Sequence, residues 1–286
     1  MNEVIKYAAK YNKQIAEFDP NLAKELKAGI HMESDSALVI LDQEKVVIAG
    51  YLTYGGKFQG KKGDRHDYDL HIAWSDDAKE EDYAHLLVIY RHMVRDIAQK
   101  KSQLAEVRIF VDMTNVEFLD KLCQTWYGFG DTLLEMKRGG HRTGNELNPK
   151  CEEAGYDVNV CSGEEEFEEY MEFYGREDLR ESIQNKIILG GQIYLGRLNG
   201  KIVSAAIACP REDVEISDLY TAEDFRENYY AHDLLARLIK DYRAKRKKTF
   251  TFRVKANNYG AIQLCQAISF RLSKMVAETY CLAECE

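Results

Sequence analysis

The chain has 286 residues, 45% of them hydrophobic and 30% charged, with a formal net charge of −9. That is the balance of a globular protein with enough apolar material for one large domain or two ordinary ones. It counts against nucleic acid as a partner, because an acidic surface repels a phosphate backbone. No apolar run approaches the roughly 18–20 residues of a membrane span, and the mixed N-terminus lacks a secretory h-region. The expectation is a cytoplasmic protein with no membrane contact. Seven cysteines without a CxxC pair read as reduced thiols. Cys281 and Cys285 have no matching His or Cys pair, so no metal site is expected.

Apolar residues at helical spacing (Val4, Ala8, Tyr11, Ile15, Phe18) predict a helix over 4–28, interrupted at Asp19-Pro20. Residues 36–41 and 46–54 read as a hairpin around the polar turn 42–45. A Gly/Lys-rich loop is expected over 55–64, a strand over 68–74 and a long amphipathic helix over 83–100. A short buried strand over 107–111 and a helix over 116–123 follow. Residues 139–155 are polar and rich in Gly, Asn and Glu, which is linker composition.

The second half repeats this order. Helices are expected over 164–174 and 177–188. Strands over 191–198 and 201–209 flank Asn199-Gly200, a favoured two-residue hairpin turn. A strand over 214–221, a helix over 231–245, a strand over 249–254 and a helix over 261–267 follow, and the chain ends on the apolar stretch 275–282. The basic run 243–255 reads as a cation-rich helix C-terminus followed by a strand. Two short anchors recur in the same order. Tyr83-Ala84-His85 matches Tyr230-Ala231-His232, and Leu122-Cys123-Gln124 matches Leu264-Cys265-Gln266. A tandem duplication follows, with domains at 1–142 and 159–286 and a linker at 143–158.

The element order, together with Arg226-Glu227-Asn228-Tyr229-Tyr230-Ala231 and Asn258-Tyr259-Gly260-Ala261 through Leu264, Cys265, Ser269 and Phe270, resembles the GNAT (Gcn5-related N-acetyltransferase) family. The resemblance covers most of 160–280 and, more weakly, 4–138. It implies an α/β (α+β) fold of two tandem GNAT-like domains, each a mixed, mostly antiparallel sheet flanked by helices. It also implies acetyl-CoA or another acyl-CoA as co-substrate. In the family, an Arg/Gln-x-x-Gly-x-Gly/Ala loop opens a helix whose free N–H groups hold the pyrophosphate, as helix N-termini hold anions generally. Here Arg226 and Ala231 fill the ends of that motif, but Tyr229 replaces its first glycine. In the first copy Glu80, Glu81 and Asp82 occupy the corresponding stretch, where like charge opposes a diphosphate. That copy is expected to be degenerate.

The resemblance places the co-substrate against Leu219, Tyr220, Thr221, Arg226, Glu227, Asn228, Tyr229, Tyr230, Ala231, His232 and Asn258. Amine acylation needs a base, N–H groups that polarise the thioester carbonyl, and an acid for the thiolate. Glu215 matches the position of the carboxylate base in histone-type members. It is expected to share a strand face with Thr221, with Asp218 on the opposite face. Cys265 stands where the family often has an acidic tyrosine, and Tyr280 is another hydroxyl donor. The implied activity is acyl transfer, acetyl foremost, to a primary amine of a small molecule or a protein. Two alternatives remain at this point: a GNAT fold that binds without efficient turnover, and an aminoacyl-tRNA-using tandem transferase, against which the acidic charge weighs.

Overall fold

The structure, a computed structural model, describes residues 2–29, 34–60, 63–101, 104–125, 127–139, 148–247 and 249–283. The first repeat comprises β1 (Glu3–Lys6), a 3-10 turn, α1 (Asn12–Phe18), α2 (Pro20–Lys27), β2 (Leu38–Asp42), β3 (Lys45–Gly60), β4 (Gly63–Trp74), α3 (Glu80–Lys101), β5 (Leu104–Asp112), α4 (Val116–Gln124) and β6 (Gly128–Gly139). After a short α5 (Pro149–Glu153) the second comprises β7 (Tyr156–Val160), α6 (Glu164–Tyr174), α7 (Arg180–Ile188), β8 (Gln192–Leu198), β9 (Lys201–Pro210), β10 (Val214–Thr221), α8 (Tyr230–Ala244), β11 (Thr249–Lys255), α9 (Tyr259–Ala267) and β12 (Arg271–Ala283). Apart from α5, the second series repeats the first element for element. The duplication extends to a local detail. Asn115 and Asn258 each cap the helix after the inner parallel strand, accepting from the N–H groups of Phe118 and Ala261 at 3.2 and 3.1 Å.

The chain divides into two compact units, Met1–Asp131 with Ala277–Glu286, and Thr132–Val276. In the first unit the strands lie in the order β1-β2-β3-β4-β5, with the end of β12 beside β5. In the second the order is β6-β11-β10-β9-β8-β7. The sheets are mostly antiparallel, with β4–β5 and β10–β11 parallel. Helices cover both faces of each. In the first unit Ile15, Leu22 and Leu26 pack on Val39 and Tyr51, while Leu86, Tyr90 and Val94 pack on Ile40, Ile48 and Val107. In the second, Phe167, Tyr170 and Ile183 pack on Leu195 and Ile207, while Leu234, Leu238 and Cys265 pack on Ile216 and Phe252. Burial on both faces explains the continuous apolar runs in β2 and β9, which a one-sided sheet would interrupt with polar residues.

Several expectations are corrected. The helix expected over 4–28 begins only at Asn12 apart from the 3-10 turn, because Val4 and Ile5 join an edge strand paired with Ile40 and Val39. Its break at Asp19-Pro20 is a helix restart: the Asp19 carboxylate accepts from Asn21 and Leu22 N–H at 2.9 Å each, and Pro20 takes the first helical position. The loop expected over 55–64 is largely strand, since β3 and β4 stay paired out to Gly60↔Gly63. The expected linker includes α5 and the start of β7, which pairs with β8 from Tyr156↔Leu198 to Val160↔Tyr194; residues 143–147 lie outside the described residues.

The expected boundaries 1–142 and 159–286 also differ from the two compact units. Strand β6 begins in the first unit but pairs with β11 in the second, from Thr249↔Gly139 to Lys255↔Leu133. Strand β12 ends in the first unit, where Thr279 donates to the Ile109 carbonyl at 3.0 Å. Each repeat therefore gives its last strand to the other's unit. Among the described residues no helix is long and apolar enough to cross a membrane.

Candidate active site

Strand β10 pairs with β11 only over Val214↔Phe250, Glu215↔Thr251 and Ile216↔Phe252. Its register with β9 shifts between Ser217↔Ile207 and Tyr220↔Ala205, so two residues, Asp218 and Leu219, stand opposite one. Asp218 has φ 50°, a left-handed conformation that Asp tolerates better than most residues. This is a β-bulge, which bends its strand and ends local pairing. Beyond it β10 and β11 carry no further paired positions, which leaves the end of β10 open on that edge.

The bulge also resets which side chains share a face. Val214 and Ile216 lie in the α8/α9 core and Leu219 packs against it. Tyr220 instead meets Phe173 and Tyr174 of α6, at ring-centroid distances of 5.4 and 5.8 Å. Asp218 faces the same side: its carboxylate pairs with Lys186 of α7 and accepts from Tyr174 OH at 3.3 Å and Ser217 Oγ at 2.6 Å. The expected pattern, Glu215 with Thr221 and Asp218 opposed, assumed unbroken alternation. One extra residue inverts it after Ser217.

After β10, a 3-10 turn leads to the loop before α8. Arg226 Nε donates to the Thr221 carbonyl at 3.3 Å, and Asn228 Nδ2 to the Arg226 carbonyl at 3.0 Å. Glu227 and Tyr229 have φ 66° and 64°. Tyr229 thus keeps the left-handed conformation that a glycine would adopt freely, at a cost on the order of 1 kcal/mol. It is the N-cap of α8 and gives no side-chain cap, and its ring is 60% exposed. Among the described residues no side chain caps the first N–H groups of α8, and the positive end of the helix dipole lies behind them.

The loop is anchored from below. Tyr156 OH shares a hydrogen bond with Ser204 Oγ at 2.7 Å and donates to the Tyr230 carbonyl at 2.9 Å, and the two tyrosine rings lie 4.6 Å apart. Gly196 makes room, since a Cβ there would fall 2.0 Å from Tyr156 OH. Cys151 Sγ donates to the Asn228 carbonyl at 3.5 Å, and burial pushes its thiol up to about 12. Buried Asp233 accepts from Asn148 N–H at 3.0 and 3.1 Å and lies 3.0 Å from His232 Nδ1.

Leu219, Tyr220 and Thr221 form the C-terminal end of β10, and the segment Arg226–His232 follows it into α8, whereas Glu215 is the second residue of the strand, in the part paired with β11. Glu215 is about one-third exposed, with Arg211 Nε 3.5 Å from its carboxylate. Asn258 serves as the cap of α9. Cys265 is a correction. It is fully buried in the α8/α9 core, and burial pushes its thiol up to about 12, so no open face connects it to a leaving group. Tyr280 lies against Gly128 and Gly130 in the first unit.

Sequence reasoning missed Tyr174, Lys186 and Ser217, and misplaced Asp218. Burial opposes the charge on both Lys186 and Asp218, but their mutual attraction wins. Lys186 is held above the ordinary lysine value, and Asp218 below the ordinary carboxylate value with help from Ser217 and Tyr174. The Ser217-Asp218 pair in the middle of β10 was the available signal, because both residues favour local departures from regular pairing. Among the described residues no group of three or more His, Cys, Asp or Glu is placed to hold a metal ion.

Residues 162–270 match the sequence model of the acetyltransferase (GNAT) family. The chain is similar over its whole length to a tandem GNAT protein from the clavulanic acid biosynthesis pathway, solved without AcCoA (9% identity, 100% of both chains, TM-score 0.72). It also resembles a GCN5-related N-acetyltransferase from Sphaerobacter thermophilus (12% identity, 99% of this chain and 96% of that one, TM-score 0.68). A third likeness is to an acetyltransferase from the GNAT family from Colwellia psychrerythraea (11% identity, 97% of this chain and 99% of that one, TM-score 0.55). At such identities the structural matches speak for the fold. No curated protein matches the chain. The second repeat carries a GNAT-family acetyltransferase domain, and the chain as a whole has the tandem GNAT fold.

Proposed function

We propose that the chain is an acyl-CoA-dependent N-acyltransferase that moves an acyl group, acetyl foremost, to a primary amine at the second-repeat site. The observation that carries this reading is the uncapped N-terminus of α8, entered through a left-handed Tyr229 and lying just after a bulged strand end. That combination suits a long anionic thioester. The N–H groups of residues 229–232 would hold the diphosphate, and the open edge of β10 at Leu219–Thr221 would receive the pantetheine amides and the acyl carbonyl. Acyl-CoA would supply the activated acyl group. Glu215 would take the proton of the acceptor amine, directly or through one water. The thiolate would leave toward solvent, because Cys265 is sealed in the core.

A second reading, a GNAT fold that binds acyl-CoA without efficient turnover, is favoured by the same burial of Cys265. Calorimetry with CoA and acetyl-CoA, followed by thiol-release assays with amine acceptors, separates the two. Absence of binding at millimolar ligand would refute the acyl-CoA reading. Binding without thiol release across amino acids, polyamines, aminosugars and lysine peptides would favour the second.

A further inference from the structure

The α6/α7 face of β10 already holds an amine. Lys186 reaches from α7 to the bulge, where its Nζ pairs with the Asp218 carboxylate and donates to Ser217 Oγ at 3.2 Å. Both side chains are largely enclosed, at 31% and 15% accessibility. Aromatic groups surround them. Tyr174 OH donates to Asp218 at 3.3 Å, Tyr220 stands beside Tyr174, and Tyr170 stacks on Tyr174 with ring centroids 5.6 Å apart. Tyr170 is fully buried, and its hydroxyl has no hydrogen-bond partner among the described residues. Burying a hydroxyl without a partner is unfavourable, and its position near Asp218 and Tyr174 points to a polar group the site receives.

Stability alone does not account for the pair. An enclosed Lys–Asp contact gains little over apolar packing, because desolvation offsets the attraction. The arrangement is instead what an acceptor amine requires: a carboxylate and a hydroxyl on the nitrogen, aromatic walls, and a position at the point where β10 leaves β11. We propose that Lys186 is an acyl acceptor carried by the chain itself, modified in cis by acyl-CoA bound at the neighbouring site. The proposal rests on the acyl-CoA reading above.

The step balances. The Lys186 ammonium gives up a proton through the Asp218 carboxylate to solvent, and the freed Nζ lone pair forms a bond to the acyl carbon. The carbon–sulfur bond breaks, the acylated nitrogen gives up a second proton to water, and the departing thiolate takes one up from water, so that one proton in all is released to solvent. The products are an amide on Lys186 and free CoA. Acylation removes the positive charge from Asp218, so the site afterwards presents a carboxylate and two phenols to an incoming ammonium.

The test uses the full chain. CoA and acetyl-CoA binding is measured first by calorimetry. The protein is then incubated with acetyl-CoA at several protein concentrations, and acetylation of Lys186 and of exposed Lys201 is followed by peptide mass spectrometry. The expected result is acetylation of Lys186 at least roughly tenfold faster than Lys201, the advantage of a held nucleophile, with a rate independent of protein concentration. Asp218→Asn should slow Lys186 and leave Lys201 unchanged. If circular dichroism shows that variant unfolded, Ser217→Ala provides a milder loss of one hydrogen bond to Nζ. Acetyl-CoA binding with Lys186 no faster than Lys201, or with a rate that rises with protein concentration, overturns self-acylation alone. No binding of either ligand overturns the acyl-CoA reading, and self-acylation with it.

Discussion

Replacing Glu106 with glutamine should stabilise the protein at pH 8 and leave it nearly unchanged near pH 4.5. Glu106 on β5 is 3% exposed. It belongs to a cluster in the first unit with Asp67, Asp69 and Glu278 as acids and Arg65 and Arg108 as bases. Four carboxylates against two guanidinium groups leave an excess of negative charge. Arg65 Nη1 is 3.1 Å from Glu106 Oε2, yet that oxygen receives no well-formed hydrogen bond. Burial, with Asp67 and Glu278 adding to it, outweighs the arginines and lifts the Glu106 carboxyl from 4.5 to about 7.

The sign follows from proton binding. Between about pH 4.5 and 7 the folded chain holds a proton that the unfolded chain has released, so stability falls as pH rises through this window and levels off above it. The difference between about 7 and 4.5 corresponds to at most about 3–4 kcal/mol, at roughly 1.36 kcal/mol for each tenfold change in proton affinity. Glutamine keeps the shape and cannot ionise. For a chain of this size the gain at pH 8 amounts to roughly 5–10 °C in Tm. Thermal and urea melts of wild type and Glu106→Gln at pH 4.5 and 8 measure it. An equal effect at both pH values, or a less stable variant at pH 8, would refute the reasoning.

Three further outcomes follow from the second unit. Glu215→Gln should lower kcat on the order of 10²-fold, the usual worth of a positioned base, while the Kd for CoA stays constant; unchanged turnover removes Glu215 as base. Tyr229→Gly should be neutral to within about 0.5 kcal/mol, whereas Tyr229→Ile should cost about 1–2 kcal/mol, because β-branched residues resist left-handed φ. Equal melting temperatures for the two variants would contradict the conformation assigned to the loop. Gly196→Ala must displace Tyr156 OH and Ser204 Oγ, which lie 2.0 and 2.3 Å from the new Cβ. It should cost about 1–3 kcal/mol and weaken CoA binding through loss of the Tyr156–Tyr230 anchor. Wild-type CoA affinity in a folded Gly196→Ala variant would show that the anchor is irrelevant to the loop.

The duplicated order of elements was legible because it rests on local signals. Asn199-Gly200 makes the expected turn with φ 51° and 83°, and the amphipathic runs after residues 80 and 230 become α3 and α8. At Tyr229, where the sequence departs from the motif, the backbone takes a left-handed conformation. Legibility failed where pairing partners decide. Val4 and Ile5 suit either a helix or a strand, and β2 selected the strand. Residues 156–158 read as linker because a short strand without flanking apolar residues has no signal until β8 lies beside it. The face assignments on β10 failed for the same reason: a bulge is a relation between two strands, and alternation within one strand cannot announce it.

The sequence by itself determined that the chain is a tandem repeat and where most of its helices and strands lie, because helix periodicity, turn chemistry and motif spacing are local properties. Only the tertiary structure decided that the last strand of each repeat completes the other's unit, that Cys265 is sealed in a core, and that Lys186 meets Asp218 across a bulge. Those facts depend on contacts between residues 32 to 170 positions apart. At such separations the energy is set by which surfaces meet in three dimensions, and the linear pattern carries no record of the choice.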